Sequence, residues 1–142
     1  MDQVFKYVLK MNNTNSNILK KVYHLWLRVI YSCDIMPGTK IGGDTEFFHK
    51  GLGVVINQSA VIGANCKFHK GVVVGKNVVI GDNVLLGANS VILGPVVIGH
   101  NAKIGAGTVV THNVPEGTTV IGNPAIILKK NVISSGSEKV LK

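Results

Sequence analysis

Large apolar residues recur at every sixth position through the middle of the chain. Steps of six from Ile56 reach ten such residues without interruption: Ile56, Ile62, Phe68, Val74, Ile80, Leu86, Ile92, Ile98, Ile104 and Val110. Glycine directly follows six of them, and a small or β-branched residue lies two positions before each. A helix would show a period of about 3.6 and an exposed strand a period of two. A fixed period of six instead predicts a solenoid of short strands.

The repeat also predicts how each coil is built. Three hexads, about 18 residues, form one triangular coil, and each hexad supplies one side of the prism. The large residue fills the interior, while glycine takes the corner, where a Cβ would clash or φ must be unusual. The unbroken hexads give just over three coils, and the hexad at Ile41-Gly42 adds about one more.

The flanking segments follow other patterns. Asn15 or Ser16 can cap a helix that runs to about Ser32, with an apolar stripe at helical spacing. The stripe comprises Leu19, Val22, Trp26, Val29, Ile30 and Cys33. We expect this helix to pack on the coil and on neighbouring subunits, and a weaker helix covers roughly residues 2–10. After the repeats, Val114-Pro115-Glu116-Gly117 is expected to leave the coil. An apolar strand then ends at Lys129-Lys130, and residues 131–142 are expected to be frayed. The sequence predicts three divisions: a helical segment (1–33), the β-helix (34–113) and a C-terminal extension (114–142).

The amino-acid composition limits the classes of partner that this protein is expected to bind. With 46% hydrophobic and 15% charged residues the chain is too apolar to stay disordered. The balance of 15 Lys+Arg against 7 Asp+Glu, +8 in all, favours an anionic partner. Only 6% of residues are aromatic, which disfavours a base-stacking surface, so we expect no nucleic acid. The absence of a signal-peptide pattern and of an apolar span predicts a cytoplasmic protein. Membrane association through the basic helix bearing Trp26 is a less favoured alternative.

Several motifs resemble the hexapeptide-repeat acyltransferases, and among these the serine acetyltransferases and related capsule O-acetyltransferases. The resemblance covers approximately residues 17–130. It is carried by Asp34-Ile35-Met36-Pro37, Lys40-Ile41-Gly42, His49-Lys50-Gly51-Leu52-Gly53-Val54-Val55-Ile56, Ile104-Gly105-Ala106-Gly107-Thr108-Val109-Val110 and Gly122-Asn123-Pro124-Ala125. It implies an all-β solenoid, a left-handed parallel β-helix, and a homotrimer with ligand sites between subunits. It also implies acetyl-CoA as co-substrate.

The resemblance further implies a catalytic pair. Serine acetyltransferases carry a catalytic aspartate and histidine fifteen residues apart, and these align with Asp34 and His49. Ile41 and Ile56 are also fifteen apart, which we interpret as a coil three residues short of 18. In that case Asp34 and His49 would occupy equivalent positions in successive coils.

The chemistry of this pair would be proton transfer. His49 would remove the proton from an acceptor hydroxyl and later return one to the CoA sulfur. Asp34 would fix the tautomer and stabilise the imidazolium. A backbone N–H near Gly71 or Gly87 is a candidate for the oxyanion site. The alternative is that His49 is a solvated loop histidine.

Cofactor residues also follow from the resemblance. It implies that backbone groups around Gly87, Ala88, Gly105 and Ala106 hold the pantetheine arm of acetyl-CoA. Lys129 and Lys130 are candidates for its phosphates, although they can equally serve only to solubilise the C-terminus.

The acceptor site departs from the family. The residue before the histidine is Phe48, where serine acetyltransferases have an aspartate that helps to recognise the amino acid. A later glycine- and histidine-bearing loop and the long N-terminal helical domain have no counterpart in the pattern. Phe48 suits a sugar ring, and His69 projects from a corner toward a candidate acceptor pocket. We therefore predict a sugar or polysaccharide-precursor hydroxyl as acceptor, with serine as the alternative and a non-catalytic trimeric scaffold as a rival of another class.

Metal binding is not expected. Cys33 and Cys66 lack metal-ligand spacing and are interpreted as reduced thiols. A hexapeptide-repeat carbonic anhydrase would need a close histidine pair plus a third histidine. The separations from His49 to His69 to His100 to His112 are 20, 31 and 12 residues, which do not fit.

Overall fold

Short strands wind into a left-handed parallel β-helix that follows an α-helix. The structure is a computed structural model that describes residue 10 and residues 14–130. Helix α1 (Asn17–Tyr31) comes first. The strands in chain order are β1 (Asp34–Ile35), β2 (Lys40–Ile41), β3 (Glu46–Phe47), β4 (Val55–Ile56), β5 (Val61–Ile62), β6 (Lys67–Phe68), β7 (Val73–Val74), β8 (Val79–Ile80), β9 (Leu85–Leu86), β10 (Val91–Ile92), β11 (Val97–Ile98), β12 (Lys103–Ile104), β13 (Val109–Val110), β14 (Thr118–Ile121) and β15 (Ile126–Lys130).

Every third strand belongs to the same side of the prism. Sheet A has the order β1-β4-β7-β10-β13, sheet B β11-β8-β5-β2, and sheet C β15-β14-β12-β9-β6-β3. Neighbouring strands are parallel, apart from the β14–β15 pair. In the regular coils partners lie 18 positions apart, as in Val55 with Val73. The predicted fold class is confirmed.

The six-residue pattern corresponds to the core. All ten large residues of the repeat are at most 2% exposed. The smaller residues two positions earlier are also buried, from Val54 to Thr108. Because the prism is narrow, Ile, Val and Leu fill most of it, and the rings of Phe47 and Phe68 stack at a centroid distance of 4.8 Å.

The corners use two residue types for two different reasons. A Cβ added to Gly42 would lie 2.5 Å from the backbone nitrogen of Ala64 in the next coil, so this glycine is required by close approach. The left-handed conformation falls instead on the residue two positions after many corner glycines, as at Asn65, Asn77 and Asn83. Asparagine tolerates this conformation better than most residues. The steric requirement for glycine at a corner is therefore confirmed at Gly42. The positive φ angle that was the other expected reason for glycine is found mainly at asparagines near the corners.

Helix α1 begins where predicted and buries a different face. The Ser16 side chain accepts a hydrogen bond from the Leu19 N–H, and the helix ends before Ser32, which has a φ of 49°. Tyr23 and Leu27 are buried against the first coil. Of the predicted stripe only Cys33 is buried, because the end of so small a prism accommodates only a narrow face of the helix. Residues 2–9 of the weaker predicted helix lie outside the described residues.

The C-terminal part extends the solenoid. Val114 is buried and bridges Ile98, so this segment still occupies a coil position, contrary to the expectation that it leaves the coil. Strand β14 continues sheet C through parallel pairing with β12, and β15 folds back antiparallel on β14. The predicted apolar strand is present as Ile126–Lys130, which reaches the last described residue. The segment 131–142, expected to be frayed, lies outside the described residues.

Candidate active site

The first coil is three residues longer than the regular 18-residue coils that follow it. Asp34 pairs with Val55, Lys40 with Val61 and Glu46 with Lys67, all 21 positions apart. The extra residues lie between β3 and β4, in the loop that contains His49. The prediction of a shortened coil is therefore wrong. A spacing of fifteen is also two hexads plus three, and the structure adopts that solution.

The lengthened loop has unusual backbone conformation. His49 and Lys50 have φ angles of 53° and 56°, and Gly51 and Gly53 follow with 72° and 69°. Two consecutive non-glycine residues in the left-handed region are uncommon, and such strain is often found at functional sites. His49 is exposed. The loop is fixed by a hydrogen bond from the Gly53 N–H to the Ser32 carbonyl at 2.8 Å.

Asp34 is the first residue of β1, and its carboxylate faces helix α1. His24 Nε2 lies 2.6 Å from Asp34 Oδ1, and Arg28 Nε lies 3.8 Å from Oδ2. Within residues 14–130 the His49 side chain has no hydrogen bond. Asp34 and His49 are therefore not equivalent positions of successive coils, and their partnership stays a prediction.

His24 is the residue that sequence reasoning missed. A signal was present in the sequence, because His24 and Arg28 lie one helical turn apart and therefore share a face of the helix. The helix also ends three residues before Asp34. Whether the helix folds back over β1 depends on the turn at Ser32, which the sequence pattern does not fix.

The two predicted acceptor residues are in contact. The rings of Phe48 and His69 lie 4.7 Å apart between centroids, with 35° between their planes. They meet because Phe47 pairs with Phe68, which places the next residues side by side. Phe48 is 36% exposed, so part of its ring is open to a ligand.

The predicted cofactor residues continue the same edge of the prism. We call it the C–A edge, the column of corners where the chain passes from sheet C to sheet A. Phe48, His69, Gly87 and Gly105 follow paired residues of β3, β6, β9 and β12, so they form one row along it. The sequence-predicted residues of the acceptor and pantetheine sites thus share one surface.

Backbone groups on the C–A edge differ in their availability. The Gly71 N–H donates to the Leu52 carbonyl at 2.9 Å, and the Gly87 N–H donates to Ile104 at 2.8 Å. These two N–H groups are therefore engaged in the coil, so neither can serve as the oxyanion donor without breaking a bond. In the described part of the chain, the N–H groups of Ala88 and Ala106 make no hydrogen bond.

Lys129 and Lys130 lie at the far end of sheet C from β3. They are the last residues of β15, where Lys129 pairs with Thr119 and Lys130 with Thr118. Five strand spacings separate β15 from β3 in the sheet order, which is about 24 Å at 4.8 Å each. Because β15 runs antiparallel to β14, both lysines lie opposite the first residues of β14, on the side of sheet C that adjoins sheet B and not at the C–A edge. Their role at the phosphates of acetyl-CoA stays a prediction.

Among the described residues there are two buried free thiols, no metal-ligand cluster and no helix suited to cross a membrane. Cys33 and Cys66 are buried free thiols, and burial raises the pKa of Cys33 to about 12. Residues 14–130 contain no cluster of three or more side chains suited to a metal ion. Over the same range no helix has the length and apolarity that a bilayer crossing requires.

Comparison with known proteins identifies the repeat. The family "bacterial transferase hexapeptide (six repeats)" matches residues 77–112, and "hexapeptide repeat of succinyl-transferase" matches residues 53–81. The sequence has no significant match among curated proteins.

Solved structures give a broader similarity. Serine acetyltransferase from Neisseria gonorrhoeae is 31% identical, with a TM-score of 0.83 over 93% of this chain and 53% of that one. The soybean apoenzyme is 35% identical, with a TM-score of 0.79 over 89% and 55%. A serine acetyltransferase in complex with CoA is 33% identical, with a TM-score of 0.79 over 89% and 54%. The chain spans about half the length of these structures. It belongs to the hexapeptide-repeat superfamily, close to the serine acetyltransferases.

Proposed function

We propose that the protein is an acetyl-CoA-dependent O-acetyltransferase whose site lies on the C–A edge. The observation that carries this proposal is the single row formed by Phe48, His69, Gly87 and Gly105, which begins beside the strained His49 loop. The similarity to serine acetyltransferases, one of them solved with CoA, supports the same activity.

In the proposed reaction His49 is the general base. It takes the proton of the acceptor hydroxyl as the oxygen attacks the thioester carbonyl. The C–S bond then breaks, and the imidazolium returns the proton to the departing CoA sulfur. Asp34 fixes the imidazole tautomer and balances the positive charge that forms. The reaction balances, because the acetyl group moves from the CoA sulfur to the acceptor oxygen while one proton moves from that oxygen to the sulfur.

The two ends of acetyl-CoA suit the C–A edge and the last strand of sheet C. The N–H groups of Ala88 and Ala106, which make no hydrogen bond among the described residues, can donate to amide carbonyls of the pantetheine arm or to the thioester oxygen. Lys129 and Lys130 are proposed for the phosphates, in keeping with the net charge of +8. About 24 Å separates β15 from β3 in sheet C, so a ligand that reaches from the His49 loop to these lysines must be extended and must cross sheet C.

Serine is the acceptor that the comparisons support better. Several neighbours are serine acetyltransferases, and two of them were solved with serine. A sugar hydroxyl is the second candidate, favoured by the exposed ring of Phe48 against His69. An apolar ring face stacks on a sugar, whereas it offers no ionic partner to the ammonium group of serine.

Assembly and location are part of the proposal. We infer a homotrimer in the cytoplasm, with sites formed between subunits. A row of outward valines on sheet B, Val61, Val79 and Val97, is 39–49% exposed and is suited to burial between prisms. Light scattering after size exclusion measures the subunit number directly, and a monomer at micromolar concentration would contradict the trimer.

Release of CoA and formation of acetylated product test the activity. Purified protein is incubated with acetyl-CoA and either serine or a panel of nucleotide sugars and glycans, and both products are separated chromatographically. His49→Ala should lower the transfer rate by about 10²–10⁴-fold. Acetyl-CoA at about 100 times its Kd should stabilise the fold by about 2.7 kcal/mol. A non-catalytic scaffold would show neither acetyl transfer nor stabilisation by acetyl-CoA. Full transfer by His49→Ala would overturn the assignment of His49 and Asp34 as the catalytic pair.

A further inference from the structure

The carboxylate of Asp34 is held from the side of helix α1. His24 Nε2 is 2.6 Å from Oδ1, and both side chains are about a quarter exposed, at 26% and 25%. Arg28 Nε is 3.8 Å from the second oxygen, Oδ2, and its own side chain is 60% exposed. The close contact therefore belongs to His24, and Arg28 adds a more solvated charge.

This contact fixes where the His24 proton sits. An ionised carboxylate only accepts hydrogen bonds, so a neutral His24 must carry its proton on Nε2. Nδ1 is then the unprotonated nitrogen. The tautomer is thus an observable consequence of the geometry, independent of any reaction.

Packing holds His24 in this orientation. The adjacent Tyr23 is buried, and Leu27 is buried one turn later. The Cys33 N–H donates to the Leu27 carbonyl at 3.1 Å, which folds the chain back so that α1 lies against the start of β1. His24 is therefore presented to Asp34 by a fixed helix and not by a loose terminus.

The His49 loop reaches the same part of β1. The Gly53 N–H bonds to Ser32, and the Asp34 N–H bonds to the Val54 carbonyl at 2.8 Å. Lys50 lies over the ring of Tyr31, with its ammonium 5.9 Å from the centroid. Asp34 thus lies between α1, which carries His24, and the loop that carries His49.

We propose that His24 is a positioning residue for proton transfer: it fixes the Asp34 carboxylate through Oδ1 and leaves Oδ2 to orient His49. This inference rests on the proposed function. No proton leaves His24 in the reaction. Its Nε2–H stays on Asp34 while His49 takes the hydroxyl proton and gives it to the CoA sulfur. Without His24 only the more solvated Arg28, 3.8 Å from Oδ2, restrains the carboxylate, whose terminal torsion is broad.

Kinetics of matched variants test the role. His24→Ala should lower kcat by roughly 10–100-fold, as for other lost orienting partners, with little change in the KM for acetyl-CoA. His24→Gln should recover most of kcat, because its amide can donate from near the Nε2 position. In an Asp34→Asn background, His24→Ala should cause little further loss, since the two residues act as a unit.

His100 provides the matched control. It also lies beside a carboxylate, with Nδ1 3.5 Å from Asp82 Oδ2, but at a corner between sheets B and C. His100→Gln should keep roughly the wild-type kcat. A loss equal to that of His24→Ala would show a general effect of removing a histidine and would overturn the proposal.

Nitrogen-15 NMR of the imidazoles gives a readout that needs no turnover. His24, assigned by loss of its signals in His24→Gln, should be in the Nε2–H tautomer, and Asp34→Asn should shift its resonances. A Nδ1–H tautomer would overturn the proposal even where His24→Ala fails to fold. An active wild type with an equally active His24→Ala overturns only the role of His24. An inactive wild type with every acceptor overturns the proposed function, and the positioning role with it.

Discussion

The rings of Phe48 and His69 contact each other, with centroids 4.7 Å apart and planes tilted by 35°, because the first coil carries three extra residues. With partners 21 positions apart, Phe47 faces Phe68 and the following residues meet at the corner. An 18-residue coil would have paired different residues. The insertion thus builds the aromatic surface and the His49 loop together.

Phe48 should determine acceptor choice. If a sugar is the acceptor, Phe48→Ala should lower kcat/KM for it about tenfold through lost ring contact. Phe48→Asp should raise kcat/KM for serine relative to sugars by about tenfold, because a carboxylate can pair with the ammonium group. Competition assays with both acceptors measure the ratio.

Leu93→Ala is the control for this change. Leu93 is a 47% exposed apolar residue at a corner between sheets A and B. It should leave the acceptor ratio unaltered. Identical ratios for all three variants would refute a role of Phe48 in acceptor selection.

Two adjacent glycines should respond differently to alanine. A Cβ on Gly42 would meet the Ala64 backbone nitrogen at 2.5 Å, whereas Gly43 has nothing within 4 Å. Gly42→Ala should therefore reduce the free energy of unfolding by about 1–3 kcal/mol through overpacking. Gly43→Ala should stay within about 0.5 kcal/mol of wild type. Urea denaturation of both variants measures the difference, and equal effects would contradict the close approach of the coils.

Corner asparagines should tolerate glycine better than a β-branched residue. Asn77 has a φ of 56° and an exposed side chain. Asn77→Val should cost about 1–2 kcal/mol of stability, since its Cβ is unfavourable in the left-handed region. Asn77→Gly should be nearly neutral because it lacks that Cβ. Melting temperatures of the two variants measure the difference. A higher melting temperature for Asn77→Val than for Asn77→Gly would contradict this prediction.

The buried thiol of Cys33 should make the protein less stable in alkali. Burial, with a smaller contribution from the nearby Asp34 charge, raises its pKa from 9.0 to about 12. Above pH 9 the unfolded thiol ionises while the folded thiol keeps its proton, so rising pH favours unfolding until the folded thiol also ionises. This thiol should contribute a loss of up to about 1.4 kcal/mol per pH unit.

Urea denaturation between pH 8 and pH 10.5 tests the alkaline effect. Cys33→Ala should lower stability at pH 8, where it leaves a small cavity, yet show a shallower decline at higher pH. Burial also raises the pKa of Tyr23, so part of the slope above pH 10 should persist. A slope unaltered by Cys33→Ala would rule out ionisation of this thiol as its source.

The interior of the prism was predictable because it depends on local repetition. Every hexad from Ile56 to Val110 meets the same environment, so periodicity alone identifies which residues are buried. The helix start at Ser16 was equally predictable from its capping side chain. These features follow from short-range rules that a single sequence displays.

The register of the first coil was not predictable from spacing. Ile41 and Ile56 are fifteen positions apart. That spacing fits three hexads with three residues deleted, or two hexads with three residues inserted, and only the pairing of Ile41 with Ile62 shows that the second is correct. The buried face of α1 was mispredicted for a related reason. Tyr23 and Leu27 face the coil because of where the chain turns at Ser32, not because of helical periodicity.

By itself, the sequence determined a solenoid of hexapeptide repeats and its core. Only the tertiary structure decided that Asp34 meets His24 and that Phe48 meets His69. The physical reason is that repeat positions are set by contacts that recur in every coil. Contacts between the helix, the inserted loop and the first strand occur once, and depend on the path of the chain through space.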